Sequence, residues 1–192
     1  MALFFTADQH FGHDRIIELA GRPFSSVDEM DEEIIRRHNE RISRSDDVYF
    51  VGDFSHKGSR EYIQKVFSRL NGRKHLIIGN HDHRDVLKLP WSSVPSHFKR
   101  IKDREGRTFV LCHYAQRSWD KMYKGSFHFF GHTHGRLKGL GKSTDVGVDA
   151  WDFAPVTADE AIRRMMEWND DFDTYAPEED NVIRGRSPMP AM

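Results

Sequence analysis

The sequence predicts an α/β fold whose strands end in polar residues. Five short apolar runs have the length of buried strands, and the stretches between the first three show the 3.6-residue periodicity of amphipathic helices. A strand, helix, strand order is typical of parallel strands joined by crossover helices. The five runs cover residues 3–7, 47–51, 74–78, 108–112 and 126–130.

The two crossover helices have recognisable ends. Ser26 is followed three residues later by Glu29, which is the capping-box pattern, and apolar residues then recur at helical spacing as far as Ile42. The second helix is predicted at 59–70 and ends before Asn71-Gly72. Three further helices are predicted at 16–20, 85–89 and 161–168.

The second half of the chain has neighbouring strands instead of strand and helix alternation. Residues 98–102 and 107–112 flank Arg104-Glu105-Gly106, a pattern that predicts a hairpin. We therefore expect a second, more antiparallel sheet. Its last short strand is predicted at 146–148.

Length and composition favour one globular domain. The chain has 192 residues, of which 38% are hydrophobic and 31% charged, and these values exclude a mostly disordered protein. We expect the domain to cover residues 1–170. The remaining 171–192 contain too little apolar surface to pack and are expected to form a loosely packed C-terminal tail.

The charge pattern indicates neither a nucleic-acid-binding nor a membrane protein. The net charge is −1, and no apolar run approaches the roughly 20 residues that cross a bilayer. The N-terminus lacks the basic start and long apolar region of a signal peptide, so a cytoplasmic location is expected. Cys112 is the single cysteine and cannot form an intrachain disulfide.

Each of the five apolar runs is followed by residues that bind divalent metal ions. Because the carboxyl ends of parallel strands meet at one edge of a sheet, these side chains are expected to converge there. Carboxylate, imidazole and amide groups suit Mn, Fe or Zn, whereas the lack of a thiolate argues against a structural zinc site. The eight candidates are Asp8, His10, Asp53, Asn80, His81, His113, His132 and His134.

A two-metal site requires one carboxylate between the ions. Two ions about 3.5 to 4 Å apart share a bridging carboxylate and a bridging water, whose pKa falls far enough to give hydroxide near neutral pH. Asp53 is the best candidate for this bridge. Asp8 and His10 can point into one site, while Asn80 and His113 serve the other.

The ordered motifs resemble the calcineurin-like metallophosphoesterase superfamily, most closely its small bacterial and phage phosphoesterases that begin Asp-x-His-Phe-Gly-His. The resemblance spans residues 8–134 and implies a four-layer α/β/β/α sandwich with two mixed sheets. It also implies that the first metal takes Asp8, His10, Asp53 and His134, and the second Asp53, Asn80, His113 and His132. The motifs are Asp8-x-His10, Gly52-Asp53, Gly79-Asn80-His81-Asp82, His113 and Gly131-His132-x-His134.

The same resemblance implies a function and moves His81 from the ligand list to a catalytic role. A hydroxide bridging two divalent ions, with Mn favoured, would attack phosphorus in line. His81 would bind the phosphoryl group and protonate the leaving oxygen. The expected activity is that of a phosphodiesterase or phosphomonoesterase acting on a nucleotide or another small phosphate ester.

One position departs from the pattern of many superfamily members. They have an aspartate three residues after the bridging one, where it orients the catalytic histidine, and this chain has His56 there. Either Asp82 orients His81, or His56 itself reaches the substrate. The arginines that bind phosphate in protein phosphatases are missing, so a phosphoprotein is a less favoured substrate. The expected substrate contacts are His13, His56, Arg117 and Trp119.

Two alternative functions remain open at this point. A nuclease acting on DNA or RNA would need a basic groove, and the basic residues between Lys99 and Arg107 could form one. Their location in a hairpin favours a charged strand edge that resists aggregation. A noncatalytic metal-binding scaffold is the second alternative, although such proteins usually lose a ligand or the catalytic histidine. The sequence does not determine the oligomeric state.

Overall fold

A computed structural model describes residues 1–56 and 58–169. It covers nearly all of the predicted domain at 1–170, whereas the predicted tail at 171–192 lies outside the described residues. Within the described ranges, no helix combines the length and apolar character required to span a bilayer.

The first sheet contains the parallel strands that the helical crossovers predict. With β1 at Leu3–Thr6, β2 at Asp47–Val51, β3 at Arg73–Ile77 and β8 at Val156–Thr157, it has the order β3-β2-β1-β8, with β1 parallel to β2 and β2 parallel to β3. The short last strand pairs antiparallel with β1 and makes the sheet mixed.

The second sheet is also mixed, with strand order β4-β5-β6-β7. Its strands are β4 (Phe98–Lys102), β5 (Thr108–Cys112), β6 (Phe127–Phe130) and β7 (Ser143–Asp145). The predicted hairpin is confirmed as the antiparallel pair β4–β5, but the other two pairs are parallel, as in the first sheet, so the expectation of a more antiparallel second sheet is wrong. The strand predicted at 146–148 is also wrong, because β7 ends at Asp145 and a 3-10 turn begins at Val148.

The first crossover helix begins after the predicted cap at Ser26. The Ser26 side chain accepts a hydrogen bond from the Glu29 N–H, while the Glu29 carboxylate bonds to Ser25 instead of closing the box on Ser26. A full capping box forms between Thr157 and Glu160. The helices are α1 (Arg15–Ala20), α2 (Val27–Arg41), α3 (Arg60–Arg69), α4 (Arg84–Leu87) and α5 (Ala158–Trp168).

Two apolar layers hold the sheets in place. Because neighbouring residues of a strand face opposite sides, Phe4 packs in the cluster of the helices α1–α4, whereas Phe5 packs between the sheets against Phe109 and Phe129. Helix α5 joins the cluster between the sheets, and the other face of the second sheet packs against Trp119 and Met122. The α/β class with two mixed sheets is confirmed. The described residues do not confirm a helical fourth layer.

Candidate metal centre

Sharp turns after the strands bring the predicted ligands together. The Asp8 N–H donates to the Gly52 carbonyl and the His10 N–H to the Asp53 carbonyl, both at 3.0 Å. The two backbone segments therefore stay hydrogen-bonded beyond the ends of β1 and β2. Left-handed φ angles between 50° and 69° occur at Asp8, His10, Asp53, His132 and His134. Non-glycine residues in this conformation cost roughly 1–3 kcal/mol each and cluster at functional sites.

Glycines at the strand ends allow the ligands to approach the backbone closely. A Cβ on Gly79 would lie 2.3 Å from Asp53 Oδ1 and 2.5 Å from the Asp53 nitrogen. A Cβ on Gly52, which also has a φ of +94°, would lie 2.2 Å from His113 Nδ1. Both positions therefore require glycine for the ligand geometry.

Replacing Gly79 with alanine should displace Asp53 and weaken metal binding by about 10- to 100-fold, the range seen when groups that orient ligands are changed. Titration calorimetry with Mn²⁺ measures this effect. Gly106→Ala is the matched control, since a Cβ there meets nothing within 4 Å although the φ of +80° strains it. Gly106→Ala should lower the free energy of unfolding and leave the affinity for Mn²⁺ unchanged. Equal metal affinity in both variants would contradict the prediction.

Two groups of ligand-type side chains lie side by side. In each group the candidate atoms are within 4.8 Å of one another. Asp53 Oδ2 lies 3.5 Å from His10 Nε2 and 3.3 Å from His113 Nε2, so one carboxylate oxygen adjoins both groups. Asn80 Oδ1 lies 3.1 Å from His113 Nε2 and belongs on that side. The first group is Asp8, His10 and His134, and the second is Asp53, His113 and His132.

The His10 ring provides a test of whether a cation fits this site. Its side chain is buried, and neither ring nitrogen has a hydrogen-bond partner. Burial lowers the pKa of His10 to about 2, so the ring is neutral and has a lone pair to offer. Buried polar atoms without partners are unfavourable, and a divalent cation would satisfy this one. The residues present therefore fit a metal ion.

The buried carboxylates of the two ligand groups favour a bound positive charge. Burial raises the pKa of Asp53, but the hydrogen bond and charge of His113 outweigh it and hold that pKa at about 2. Burial lowers the pKa of His113, and the same bond to Asp53 raises it to about 9. Burial also raises the pKa of Asp8 well above its usual value. A bound cation would replace protons as the partner of these carboxylates.

Asp149 and Arg22 fix the orientation of His134. The His134 Nδ1–H donates to Asp149 Oδ2 at 2.7 Å, which leaves Nε2 for a metal. Arg22 donates to both Asp149 oxygens at 2.8 Å, and its side chain is fully buried. Burial raises the pKa of Asp149, yet the bonds to His134 and Arg22 hold it at about 2. No local sequence pattern predicts this network.

Asp82 supports Asp53 instead of orienting His81. One Asp82 oxygen accepts from the N–H groups of Asp53 at 2.9 Å and Gly79 at 2.8 Å, and the other accepts from Phe54 at 2.9 Å. These bonds tie the ends of β2 and β3 together. The alternative in which Asp82 orients His81 thus gains no support.

The His81 ring lies among His10 of the first ligand group and two further histidines, His13 and His56. Its ring centroid lies 5.2 Å from that of His10 and 4.4 Å from that of His56. The His13 ring lies 4.2 Å from His56 and 5.4 Å from His10. The His81 N–H donates to Asp53 Oδ1 at 2.8 Å, which fixes the backbone beside the shared carboxylate. The structure therefore brings His13, His56 and His81 together at the first group.

Trp119 does not lie where a substrate contact was expected. It is 7% exposed and packs with Val110 and Met122, and its indole N–H donates to the Ser126 carbonyl at 3.0 Å. The prediction of a substrate contact at Trp119 is therefore wrong, because the ring is a core side chain with a satisfied polar end. Arg117 is exposed on the same loop, and its role stays a prediction.

A family of known sequences matches most of this chain. A sequence model described as calcineurin-like phosphoesterase matches residues 1–146. The chain belongs to the calcineurin-like phosphoesterase family. Membership implies metal-dependent hydrolysis of phosphoesters, in agreement with the two ligand groups at the strand ends.

Proteins with similar sequences occur in an archaeon and in a phage. The uncharacterized protein MJ1445 of Methanocaldococcus jannaschii is 28% identical over 84% of this chain and 89% of its own length. The Gene 66 protein of Mycobacterium phage D29 is 29% identical over 85% of this chain and 95% of its own. A crystal structure of AQ665 from Aquifex aeolicus, described as a protein of unknown function, shares the fold with a TM-score of 0.67 and 24% identity, covering 82% of this chain and 96% of that one.

Proposed function

We propose that this phosphoesterase binds two divalent ions, with Mn²⁺ favoured, and hydrolyses a nucleotide or another small phosphate ester. The position of Asp53 Oδ2, 3.5 Å from His10 Nε2 and 3.3 Å from His113 Nε2, is the observation that supports it most directly. A carboxylate oxygen between two ligand groups is what a two-metal site needs. Two bound ions would supply positive charge for the phosphoryl oxygens and lower the pKa of the attacking water.

The burial of the ligands suggests where the substrate enters. Asp8, His10, Asp53 and His113 are each at most 1% exposed. Asn80 and His132 are exposed, and His134 is half-buried. The buried charged ligands hold their geometry in a low-dielectric interior, and the exposed residues leave one side of the site open to a small ester.

His81 is the proposed general acid. Its backbone is tied to Asp53 Oδ1, so the side chain starts from a fixed point beside the shared carboxylate. The half-buried ring lies among His10, His13 and His56, and it can reach the phosphoryl group and give a proton to the leaving oxygen. His13 and His56 are proposed to contact the phosphoryl oxygens from the side of the first ligand group.

Replacing His81 with alanine should lower the rate of hydrolysis by about 10²- to 10⁴-fold, as expected for loss of a general acid. The assay uses a bis-aryl phosphate and an aryl phosphate with added Mn²⁺. The loss should be larger for an ester with a poor alkoxide leaving group, because that oxygen depends more on protonation.

His97→Ala is the matched control, since His97 is exposed outside the ligand groups. It should retain wild-type rates, and both variants should bind the same number of ions. A rate in His81→Ala within twofold of the control would remove the general-acid role. Absence of hydrolysis in the metal-loaded wild-type protein would favour the noncatalytic scaffold instead.

The basic hairpin does not strengthen the nuclease alternative. Arg100 pairs with Asp120, and Arg107 pairs with Asp103 and Asp159. Arginines that already bind carboxylates have less capacity for a nucleic-acid backbone. They agree better with a charged edge that protects strand β4 from pairing with other chains.

A further inference from the structure

Tyr114 lies beside the second ligand group. It follows His113 directly, and its ring centroid lies 5.2 Å from that of His113 and 4.8 Å from that of His132. Its hydroxyl is 3.5 Å from Asn80 Oδ1, the outer limit of a hydrogen bond. The Tyr114 side chain thus contacts three side chains and lies along one side of the second ligand group.

About half of this side chain is nevertheless accessible, because Tyr114 is 47% exposed. A buried aromatic such as Trp119 stabilises the core by covering apolar area, whereas Tyr114 leaves part of its ring in water next to reactive groups. An exposed aromatic surface of this kind gains free energy when a flat apolar group covers it. The ring therefore has area available for a bound molecule.

The side chains around the two ligand groups differ in chemistry, and the side of the site at each group is called the first or the second flank. On the first flank, His10 is joined by His13, His56 and His81, which are polar rings suited to phosphoryl and leaving-group oxygens. On the second flank, Tyr114 presents a carbocyclic face with a hydroxyl at its end. Such a face binds the organic part of an ester, and it favours a planar one, since stacking needs two flat surfaces.

We propose that Tyr114 stacks on the planar base of a nucleoside esterified to the substrate phosphate, so that the substrate is a nucleoside ester. This proposal rests on the proposed hydrolase function and specifies its substrate class. Stacking on an aromatic side chain tolerates every base and corresponds to a preference of about 5- to 150-fold over a group that cannot stack. Tyr114 is then a specificity-determining residue.

The test compares two diesters with the same leaving group. Thymidine 5′-(p-nitrophenyl phosphate) and methyl p-nitrophenyl phosphate are hydrolysed with Mn²⁺ by the wild type, Tyr114→Phe and Tyr114→Leu. The ratio of kcat/KM values should favour the thymidine ester about 10-fold or more in the first two proteins and fall to about 1 in the third. Tyr123→Leu, which changes a tyrosine that is 68% exposed, is the matched control and should keep the wild-type ratio.

A binding measurement separates this proposal from the hydrolase function. Calorimetry of the Mn²⁺-loaded proteins with thymidine 5′-monophosphate and with methyl phosphate should give the same ratios as the kinetics. Tyr114-dependent binding without hydrolysis would overturn the function and leave the stacking intact. Hydrolysis with equal ratios in wild type and Tyr114→Leu, or no preference for the thymidine compounds in the wild type, would overturn the stacking proposal.

Discussion

Asp53→Asn is expected to reduce metal-dependent hydrolysis on the order of 10³-fold or more, since a shared cation site supplies several kcal/mol of transition-state stabilisation. Asparagine has nearly the same shape, but it removes the charge that both ligand groups share. Asp53 Oδ2 adjoins His10 and His113, and Oδ1 accepts the His81 N–H. The change therefore weakens both positions at once, and the number of bound ions should fall from two to at most one.

Elemental analysis of the dialysed protein and the diester assay measure these two effects. Asp47→Asn is the matched control, because Asp47 begins the same strand and pairs with Arg73 and His75 near the surface. It should keep both ions and full activity, with a stability loss within about 1 kcal/mol. Two bound ions and wild-type rates in Asp53→Asn would reject a shared carboxylate.

The positions of the candidate ligands could be predicted from the sequence because their signal is local. Each is a polar residue at the end of an apolar run, and parallel strands deliver such residues to one edge of a sheet. Asp8 and Asp53 follow this rule, and the backbone pairing of their turns brings them together as expected. The strand pattern alone was sufficient for this part of the site.

The groups that orient the ligands could not be predicted in this way. Arg22 and Asp149 are 127 residues apart, and no periodicity relates a loop arginine to an aspartate in a 3-10 turn. Only the folded chain places one against the other. The three backbone hydrogen bonds that Asp82 accepts could not be predicted for the same reason, since they depend on the meeting of two strand ends.

The error at strand β7 has a different cause. Ser143–Asp145 is polar, so apolar periodicity favours Val146 and Val148 as the strand. The buried Asp145 carboxylate provides hydrogen-bond acceptors for the loop that carries His134. It accepts from the Thr133 hydroxyl and the Gly135 N–H, which flank His134. Hydrogen bonding outweighs hydrophobicity here, and the strand supports the ligand loop.

Arg22, together with His134, keeps the buried Asp149 charged. Besides its two bonds to Asp149, it donates to the Gln9 carbonyl at 3.0 Å and the Asp8 carbonyl at 2.6 Å. The Asp149 side chain is 8% exposed. Breaking a buried pair by removing one partner costs much more than the pair contributes, because a charge remains without compensation.

Arg22→Met should therefore lower the free energy of unfolding by about 3–5 kcal/mol, which corresponds to a decrease in Tm of roughly 6–20 °C for a chain of this size. The loss of His134 orientation should also weaken metal binding about 10- to 100-fold. Thermal unfolding and Mn²⁺ calorimetry measure the two effects. Arg100→Met, which breaks an exposed pair with Asp120, should cost about 1 kcal/mol or less. If both variants lose equally little stability and bind Mn²⁺ alike, the buried network has no role in holding the metal centre.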